Sequence, residues 1–264
     1  MVESEVRNLL VDISIVSHGQ SHLVNDLLLD LHPMSSEIGN IFLVKNIPEV
    51  DPPAAIGFNN LTIIENEDVK GFGANQNHVA AISSADILII INPDIRLEIM
   101  SIGQICLAFG QNDIDVLAPV VRAPSGSLED SVRAFPSAIG LFKKLLGLGD
   151  GGIQEIPNQG VNFIEWAAGM FLAIRLDRFK KLNGFDENFF LYYEDVDLCA
   201  RVWSSGGKVA CLSSQLVLHD AQRTSHRNLK YMVWHLKSLA RYFWKYGLAG
   251  PKILKKSWLS SSES

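Results

Sequence analysis

The stretch that decides the fold reads Ile87-Leu88-Ile89-Ile90-Ile91-Asn92-Pro93-Asp94. Five consecutive apolar residues predict a strand that is buried on both faces, as is typical of the centre of a parallel sheet. The Asn-Pro-Asp segment then predicts a turn, which puts the Asp94 carboxylate at the carboxyl end of that strand. Open α/β sheets bind their ligands at this edge. The alternative for Asp94 is a turn residue with no further role.

Further strands alternate with helical patterns on both sides of this stretch. They are predicted over residues 11–16, 41–44, 61–64, 115–121, 166–174 and 215–218. The first helix carries one apolar face, formed by Leu23, Leu27, Leu28 and Leu31. This alternation predicts an α/β fold, with a doubly wound, mostly parallel central sheet flanked by helices. We expect residues 1–264 to form one domain, divided at residues 121 and 222 into two halves and a C-terminal helical extension.

A glycine-rich segment precedes the central strand. It reads Lys70-Gly71-Phe72-Gly73-Ala74-Asn75-Gln76-Asn77 and is predicted to be a loop that opens a helix. Gln76 occupies the third glycine position of a dinucleotide-binding fingerprint, so that motif is absent, and the P-loop pattern is absent too. What remains is a set of backbone N–H groups at a helix N-terminus, where a phosphate could bind.

The segment from Gly184 to Arg201 combines five acidic residues with aromatic and other apolar residues. We call it the acidic segment. Counting from Asp195, positions three, four, seven and eight further on are apolar, which predicts a helix with Asp195 at the start of its buried face. A carboxylate there must be paired, bound to a cation or used as a base. Asp197 lies about 200° around the helix, so we expect it off that face, in an ordinary ion pair with Arg201.

The bulk composition limits the class of protein. The first residues, Met1 to Glu5, are acidic and lead directly into a strand, so we expect no signal peptide. No apolar run approaches the length of a membrane span, so none is expected either. Three scattered cysteines fit unpaired thiols in a reducing cytosol. The net charge is −6, yet residues 223–264 carry nine of the 23 Lys and Arg and one of the 29 acids. A basic segment on an acidic body suggests an anionic partner surface.

The C-terminal segment predicts one long helix, capped by Ser225 and ended by Gly247. Its predicted core stripe consists of Leu229, Met232, Val233, Leu236, Leu239, Ala240 and Phe243. A second stripe contains Trp234, Lys237, Arg241, Trp244 and Lys245, and it is followed by Lys252, Lys255, Lys256 and Trp258. Basic residues mixed with tryptophan suggest a membrane-binding surface. The alternative is a solvated basic helix.

Several motifs occur together in the order of one known family. They are Val16-Ser17-His18, Gly71-Phe72-Gly73-Ala74-Asn75, Asn92-Pro93-Asp94, Ala168-Gly169-Met170-Phe171-Leu172, Gly184-Phe185-Asp186-Glu187-Asn188-Phe189-Phe190, Glu194-Asp195-Val196-Asp197-Leu198 and His219. Over residues 11–246 the chain resembles family 2 glycosyltransferases of the GT-A fold, close to bacterial rhamnosyltransferases of cell-surface polysaccharide synthesis. The resemblance implies inverting transfer of a sugar from a nucleoside diphosphate donor. Residues 1–121 would bind this donor, and residues 122–222 would hold the acceptor and the catalytic group.

The resemblance also implies roles for single residues. Asp195 would be the general base, and Asp94 and His219 would bind a divalent metal, Mg²⁺ or Mn²⁺, with the imidazole favouring Mn²⁺. Taken alone, His219 is equally well explained as a turn residue at the end of a strand. The donor would be bound by Ser17, His18, Gly71, Gly73, Asn75, Asn92 and Asp94. The acceptor would be bound by Trp166, Gly169 and Glu194.

The chain departs from the family after its second strand. Where the family often has Val-Asp-Asn-Ser, with the aspartate contacting the base, this chain has Val44-Lys45-Asn46-Ile47. The nucleotide is therefore open, although dTDP-L-rhamnose is the donor that the resemblance favours. Galactofuranosyl, glucosyl and galactosyl nucleotides are the alternatives, and a non-catalytic nucleotide-sugar-binding scaffold is a further one.

The remaining expectations concern the acceptor and the location. The acceptor would be lipid-linked or a polysaccharide, and no nucleic acid partner is expected. We expect a cytoplasmic protein that lies peripherally on the inner face of the cell membrane through its basic C-terminal helices.

Overall fold

A computed structural model describes residues 9–129, 131–147, 160–220 and 229–251. The strands in chain order are β1 (Val11–Ser17), β2 (Ile41–Lys45), β3 (Leu61–Glu65), β4 (Ile87–Ile91), β5 (Ile95–Ile99), β6 (Val116–Arg122), β7 (Val132–Arg133), β8 (Val161–Phe163), β9 (Trp166–Ala167), β10 (Phe171–Arg175) and β11 (Val209–His219). The helices are α1 (Ser21–Leu31), α2 (Phe72–Ile82), α3 (Ile102–Gln111), α4 (Ala138–Leu145), α5 (Leu176–Lys181), α6 (Glu194–Ser204) and α7 (Leu229–Tyr246). Short 3₁₀ helices span His32–Glu37 and Pro53–Gly57.

The main sheet has the strand order β3-β2-β1-β4-β10-β6-β11-β5, and β8 pairs with β11. Strands β3, β2, β1 and β4 are parallel to one another, whereas β10 runs antiparallel to β4 and β6. Strand β11 is parallel to β6 and antiparallel to β5. The predicted α/β class with helices flanking a central sheet is confirmed.

Strand β4 lies at the centre of the sheet, and all five of its side chains are fully buried. Ile87, Ile89 and Ile91 face one side, where they pack with residues of α1 and α3. Leu88 and Ile90 face the other side, where they pack with residues of α2, α5, α6 and α7. Successive residues of a strand point to opposite faces, so a strand covered on both sides must be apolar at every position.

Two predicted segments differ from the structure in their bounds. The expected continuous strand over residues 166–174 is divided into β9 and β10 by a turn at Gly169-Met170. Strand β9 leaves the main sheet and pairs with β7. The glycine-rich segment was expected to be mainly a loop, but α2 already begins at Phe72. The apolar pattern predicted for residues 166–174 was correct, while the break within it depends on which neighbours pack there.

For the C-terminal helix, the predicted C-terminal end was correct and the predicted buried face was wrong. Helix α7 ends at Tyr246, and Gly247 follows with a left-handed φ of 72°. However, Met232, Val233 and Leu236 of the predicted core stripe are exposed. Among residues 231–246 of α7, for which burial is described, the most completely buried side chains are those of Ser238 and Tyr242. Ser225 and the basic residues beyond 251 lie outside the described residues.

The second predicted stripe is partly used for packing. The Trp234 ring lies 4.7 Å from the Phe190 ring, and Lys245 forms ion pairs with Asp186 and Asp197. Trp244, in contrast, is 84% exposed. No described helix combines the length and the apolar content that crossing a bilayer requires.

Candidate active site

The acidic segment enters α6 through an unusual backbone. Tyr192 and Tyr193 both have left-handed φ angles, 69° and 67°, which residues other than glycine rarely adopt. Both rings pack on the His235 ring, at centroid distances of 5.4 and 5.5 Å. Because this turn directly precedes α6, it presents the first two acids of the helix to a cavity.

The Asp195 carboxylate is partly buried and held by backbone groups. The Gly169 N–H donates to Oδ2 over 2.8 Å, and the Val196 N–H donates to Oδ1 over 2.7 Å. Burial raises the pKa of Asp195, and these N–H donors oppose that rise without cancelling it. A fixed carboxylate with a raised pKa has the properties of a general base.

Glu194 differs from its neighbour in being almost completely buried. Its Oε2 atom has no hydrogen-bond partner among the described residues. Burial raises the pKa of Glu194 well above its usual range, and the nearby charge of Asp195 raises it further. Two adjacent carboxyls favour a single negative charge between them, and the burial of Glu194 together with the backbone donors to Asp195 favours that charge on Asp195.

Asp94 and His219 meet at the carboxyl ends of two strands that are distant in sequence. His219 ends β11, Asp94 follows β4, and His219 Nε2 lies 3.3 Å from Asp94 Oδ2. Burial lowers the pKa of His219, but the Asp94 carboxylate raises it more, so the net shift is upward. The opposite atoms, Asp94 Oδ1 and His219 Nδ1, are buried and lack hydrogen-bond partners within the described part of the chain.

These unpartnered atoms are what a divalent cation would satisfy. The described residues contain no cluster of three or more metal-ligating side chains. One carboxylate and one imidazole still suffice when phosphate oxygens of a substrate complete the coordination, as is common for Mg²⁺. The residues present therefore fit the predicted metal.

A cavity of about 970 Å³ connects the catalytic and acceptor residues. From the predicted set its lining contains Asn92, Trp166, Gly169, Glu194, Asp195 and His219. The Trp166 indole N–H donates to the Ala134 carbonyl, which holds the ring in the wall. The cavity therefore brings together the predicted acceptor residues, the predicted base and one predicted metal ligand.

The other predicted donor residues lie outside this lining, around the carboxyl end of β1 and the start of α2. Ser17 is buried and accepts from the Gln20 N–H, while His18 is exposed and lies 3.3 Å from Asn46. Asn75 is buried and accepts a hydrogen bond from Asn66. Asn46 also contacts the backbone of Lys70 at both its N–H and its carbonyl, so this polar network joins the segments that follow β1, β2 and β3.

Gly71 and Gly73 have a packing role in the structure. A Cβ atom on Gly71 would lie 2.7 Å from the Phe190 carbonyl oxygen, and one on Gly73 would lie 2.8 Å from the Phe185 Cβ. The start of α2 therefore lies directly against the acidic segment. Binding of the nucleotide sugar by the backbone N–H groups of Gly71 and Gly73 stays a prediction.

Asp197 corrects one expectation and confirms another. Its ion pair with Arg201 is present at 2.7 Å. The expectation that it lies off the buried face was wrong, because Asp197 is fully buried. Helix α7 covers it, with Lys245 Nζ at 2.6 Å and the Tyr246 hydroxyl donating over 2.7 Å.

Several side chains of the cavity lining were missed by sequence reasoning. Arg133, the Tyr192-Tyr193 pair and His235 all line it. Arg133 and the tyrosines belong to polar or aromatic motifs that the sequence displays, but no spacing rule assigns them to the cavity. His235 had no signal at all, since it is one polar residue on an amphipathic helix.

Two curated relatives resemble the chain over much of its length. Rhamnosyltransferase WbbL of Escherichia coli K12 is 28% identical over 253 residues, covering 88% of this chain and 92% of that protein. The N-acetylglucosaminyl-diphospho-decaprenol L-rhamnosyltransferase of Mycobacterium tuberculosis is 31% identical over 163 residues, covering 58% of this chain and 53% of its own length. Residues 161–227 match the family described as the N-terminal domain of galactosyltransferase.

Solved GT-A glycosyltransferases share the architecture. GalNAc-T7 with UDP, GalNAc and Mn²⁺ superposes with a TM-score of 0.63 at 13% identity, over 82% of this chain and 44% of that one. The mannosyltransferase PcManGT of Pyrobaculum calidifontis with GDP-Man and Mn²⁺ superposes with a TM-score of 0.61 at 13% identity, over 91% of this chain and 66% of that one. At such identities the likeness establishes the fold.

Together, the relatives and the matched family model support a glycosyltransferase enzyme, and the solved structures show that its architecture is the GT-A fold. This finding favours catalysis over the scaffold alternative.

Proposed function

We propose that the enzyme transfers L-rhamnose from dTDP-L-rhamnose to a lipid-linked acceptor, with inversion at the anomeric carbon and with a divalent metal. The observation that carries this proposal is the Asp195 carboxylate, held by two backbone N–H groups in the wall of a cavity that also contains His219. Both curated relatives are named rhamnosyltransferases, and the name of the mycobacterial one specifies a diphospho-decaprenol acceptor. These names support the choice of sugar and the class of acceptor.

In the proposed mechanism Asp195 accepts the proton of the acceptor hydroxyl. The hydroxyl oxygen forms its bond to the anomeric carbon as the bond from that carbon to the diphosphate oxygen breaks, which inverts the configuration. The electron pair of the broken bond leaves with the nucleoside diphosphate. Gly169 and Val196 keep the carboxylate oriented through their N–H groups, so the base needs no rearrangement during the reaction.

Glu194 supports this role through its neutral form. A second ionised carboxylate beside Asp195 would oppose the approach of the negatively charged donor. Because burial and the Asp195 charge both raise the Glu194 pKa, we propose that Glu194 is protonated during turnover and able to donate a hydrogen bond to the acceptor.

Asp94 and His219 would hold the divalent metal, which when bound offsets negative charge on the diphosphate leaving group. Their unpartnered atoms, Asp94 Oδ1 and His219 Nδ1, support this assignment. Metal binding needs a neutral imidazole, so protons compete with the metal at His219.

Replacing Asp94 by Ala is therefore expected to weaken metal-dependent donor binding. The measurement is the thermal shift produced by donor with Mn²⁺ or Mg²⁺, with and without a chelator. Asp220→Ala is the matched control, because Asp220 is an exposed carboxylate next to His219. Equal donor affinity with and without chelator in the wild-type enzyme would remove the metal from the proposal.

The donor is tested by comparing nucleotide sugars in the same assay. We expect dTDP-L-rhamnose to raise the melting temperature more than UDP-linked galactose, galactofuranose or glucose, since a ligand at 1,000 times its Kd stabilises by about 4.1 kcal/mol. A galactosyl nucleotide is the second candidate, because residues 161–227 match a galactosyltransferase family. A larger shift with UDP-galactose would replace rhamnose by galactose.

We further propose that the enzyme lies peripherally on the cytoplasmic membrane face, where a lipid-linked acceptor is accessible. Exposed Trp244 on α7 and the basic residues after position 251 are the proposed contacts. Removal of residues 252–264 should lower binding to anionic vesicles in a flotation assay, and unchanged flotation would contradict this contact.

A further inference from the structure

The cavity that contains Asp195 is lined by both polar and apolar side chains. Asn92, His219 and the two acids line one end, where the reacting groups meet. The opposite end lies between α4 and α7 and is lined by Pro136, Gly140, Leu141, Leu236 and Leu239. Of the lining residues in α4, α7 and the turn before α4, only Ser137 and His235 carry a side-chain hydrogen-bonding group. We call this end the α4–α7 trough.

The trough continues onto an apolar surface of both helices. The exposed apolar side chains around it are Ile139, Phe142 and Leu146 on or just after α4, and Met232, Val233 and Leu236 on α7. Leu236 belongs to both the cavity lining and this surface, so the two are continuous. Exposed apolar side chains grouped beside a cavity are typical of a binding surface.

Arg133 contributes positive charge to the cavity lining. Arg133 pairs through β7 with Trp166 of β9, and both side chains line the cavity. The Arg133 charge also acts on Tyr193, which directly precedes the catalytic acids. A guanidinium is well suited to bind phosphate oxygens in two-point contacts.

The order of these features identifies the occupant. The acceptor hydroxyl must reach Asp195, so the rest of the acceptor must extend along the cavity. A polysaccharide would need hydrogen-bonding groups along its whole path, and most of the lining residues between α4 and α7 have none. We propose that the α4–α7 trough binds the isoprenoid chain of a polyprenyl-diphosphate-linked acceptor, with Arg133 at the diphosphate. This inference rests on the proposed function, in which Asp195 activates the acceptor.

The test compares acceptors that differ only in their chain. One carries a long polyprenyl diphosphate on its sugar, and the other a diphosphate with two isoprene units. Leu236→Gln is the informative variant, because Leu236 is 56% exposed and its replacement leaves the core intact. We expect its KM for the long-chain acceptor to rise about tenfold, with kcat and the short-chain KM unchanged.

Ile56→Gln is the matched control, since Ile56 is 93% exposed in the 3₁₀ helix Pro53–Gly57 and does not line the cavity. Equal KM values for Leu236→Gln and wild type with the long acceptor would overturn the inference. An equal rise with both acceptors would overturn it as well, because the effect would then not depend on the chain.

Arg133 is tested with a third acceptor, the same sugar on an alkyl chain without diphosphate. Arg133→Gln should raise the KM of both diphosphate acceptors and leave the alkyl glycoside unchanged, and Arg133→Lys should restore part of the loss. A similar loss with the alkyl glycoside would exclude the diphosphate contact.

Two other occupants of the trough have distinct outcomes. If Leu236→Gln lowers flotation on vesicles that contain no acceptor, the surface docks on the bilayer. If the wild-type chain sediments as a dimer and the variant as a monomer, a second copy covers it. Either result overturns the inference.

Acceptor binding measured by titration without any donor separates this inference from the proposed donor. Loss of long-chain binding in Leu236→Gln would support the trough even if dTDP-L-rhamnose proves to be the wrong donor. Equal affinity of the wild-type enzyme for the long and short chains would refute it even if rhamnose is transferred.

Discussion

Replacing Asp195 by Asn is expected to reduce the rate of sugar transfer by about 10²–10⁴-fold, the usual contribution of a general base. The amide keeps the shape of the side chain, but its single oxygen can accept from only one of the Gly169 and Val196 N–H groups, so we expect the fold to be preserved with one hydrogen bond fewer. The amide cannot accept the proton of the acceptor hydroxyl. Donor binding should be unchanged, because the donor contacts proposed above do not include Asp195.

Single-turnover transfer and the donor-induced thermal shift measure these two effects separately. Glu187→Gln is the control, since Glu187 is an exposed acid in the same segment and its hydrogen bond from Asn77 survives in the amide. Unchanged turnover in Asp195→Asn would end the assignment of the base. A lost donor shift would mean that Asp195 binds the donor instead.

The pH dependence of kcat/KM provides a second test of Asp195. Asp195 must be ionised to accept a proton, so kcat/KM is expected to fall as the pH falls through its pKa. Since burial raises that pKa, the fall should occur above the value of about 3.9 that is typical of an exposed aspartate. Because Glu194 is proposed to be neutral when Asp195 is ionised, Glu194→Gln should leave the acid limb at nearly the same pH.

Replacing Asp197 by Ala is expected to lower the free energy of unfolding by about 3–5 kcal/mol, the range observed when one partner of a buried ion pair is removed. Asp197 is fully buried and accepts from Arg201, Lys245 and the Tyr246 hydroxyl. Its loss leaves these donors without their acceptor between α6 and α7. Lys245 keeps its second partner, Asp186, which limits the loss.

Urea denaturation measures this effect. Asp177→Ala is a matched control, because Asp177 also pairs with a cation four residues later on a helix, but both side chains are more than 60% exposed. That variant should change stability by less than about 1 kcal/mol. Similar losses in both variants would show that the burial of Asp197 contributes little.

The same contacts give α7 a role in positioning the catalytic segment. Asp197 lies two residues after Asp195 on α6, and Lys245 joins it to Asp186 at the beginning of the acidic segment. The Tyr193 ring, which directly precedes α6, packs on Tyr242 of α7. A destabilised α7 should therefore reduce turnover before the whole fold is lost.

The sequence by itself determined those features that depend on only a few neighbouring residues. The apolar run of β4 requires burial on both faces, the spacing of Asp197 and Arg201 places them on adjacent helical turns, and Gly247 can adopt the backbone that ends α7. Periodicity and backbone preference act within a few residues, so they are visible without the fold. The motif order over residues 11–246 supplied the fold class because distant motifs in one order are specific to a family.

Only the tertiary structure decided which faces are covered. Asp197 is buried because α7 packs over it, and α7 turns Tyr242 inward while Leu236 remains exposed beside the cavity. Residues 166–174 break into two strands because β9 pairs with β7 outside the main sheet. Asp94 and His219 are 125 positions apart in the sequence, and they meet because β5 and β11 are neighbours. Burial and proximity depend on the partner that packs against a residue, and the spacing of residues along one element contains no information about that partner.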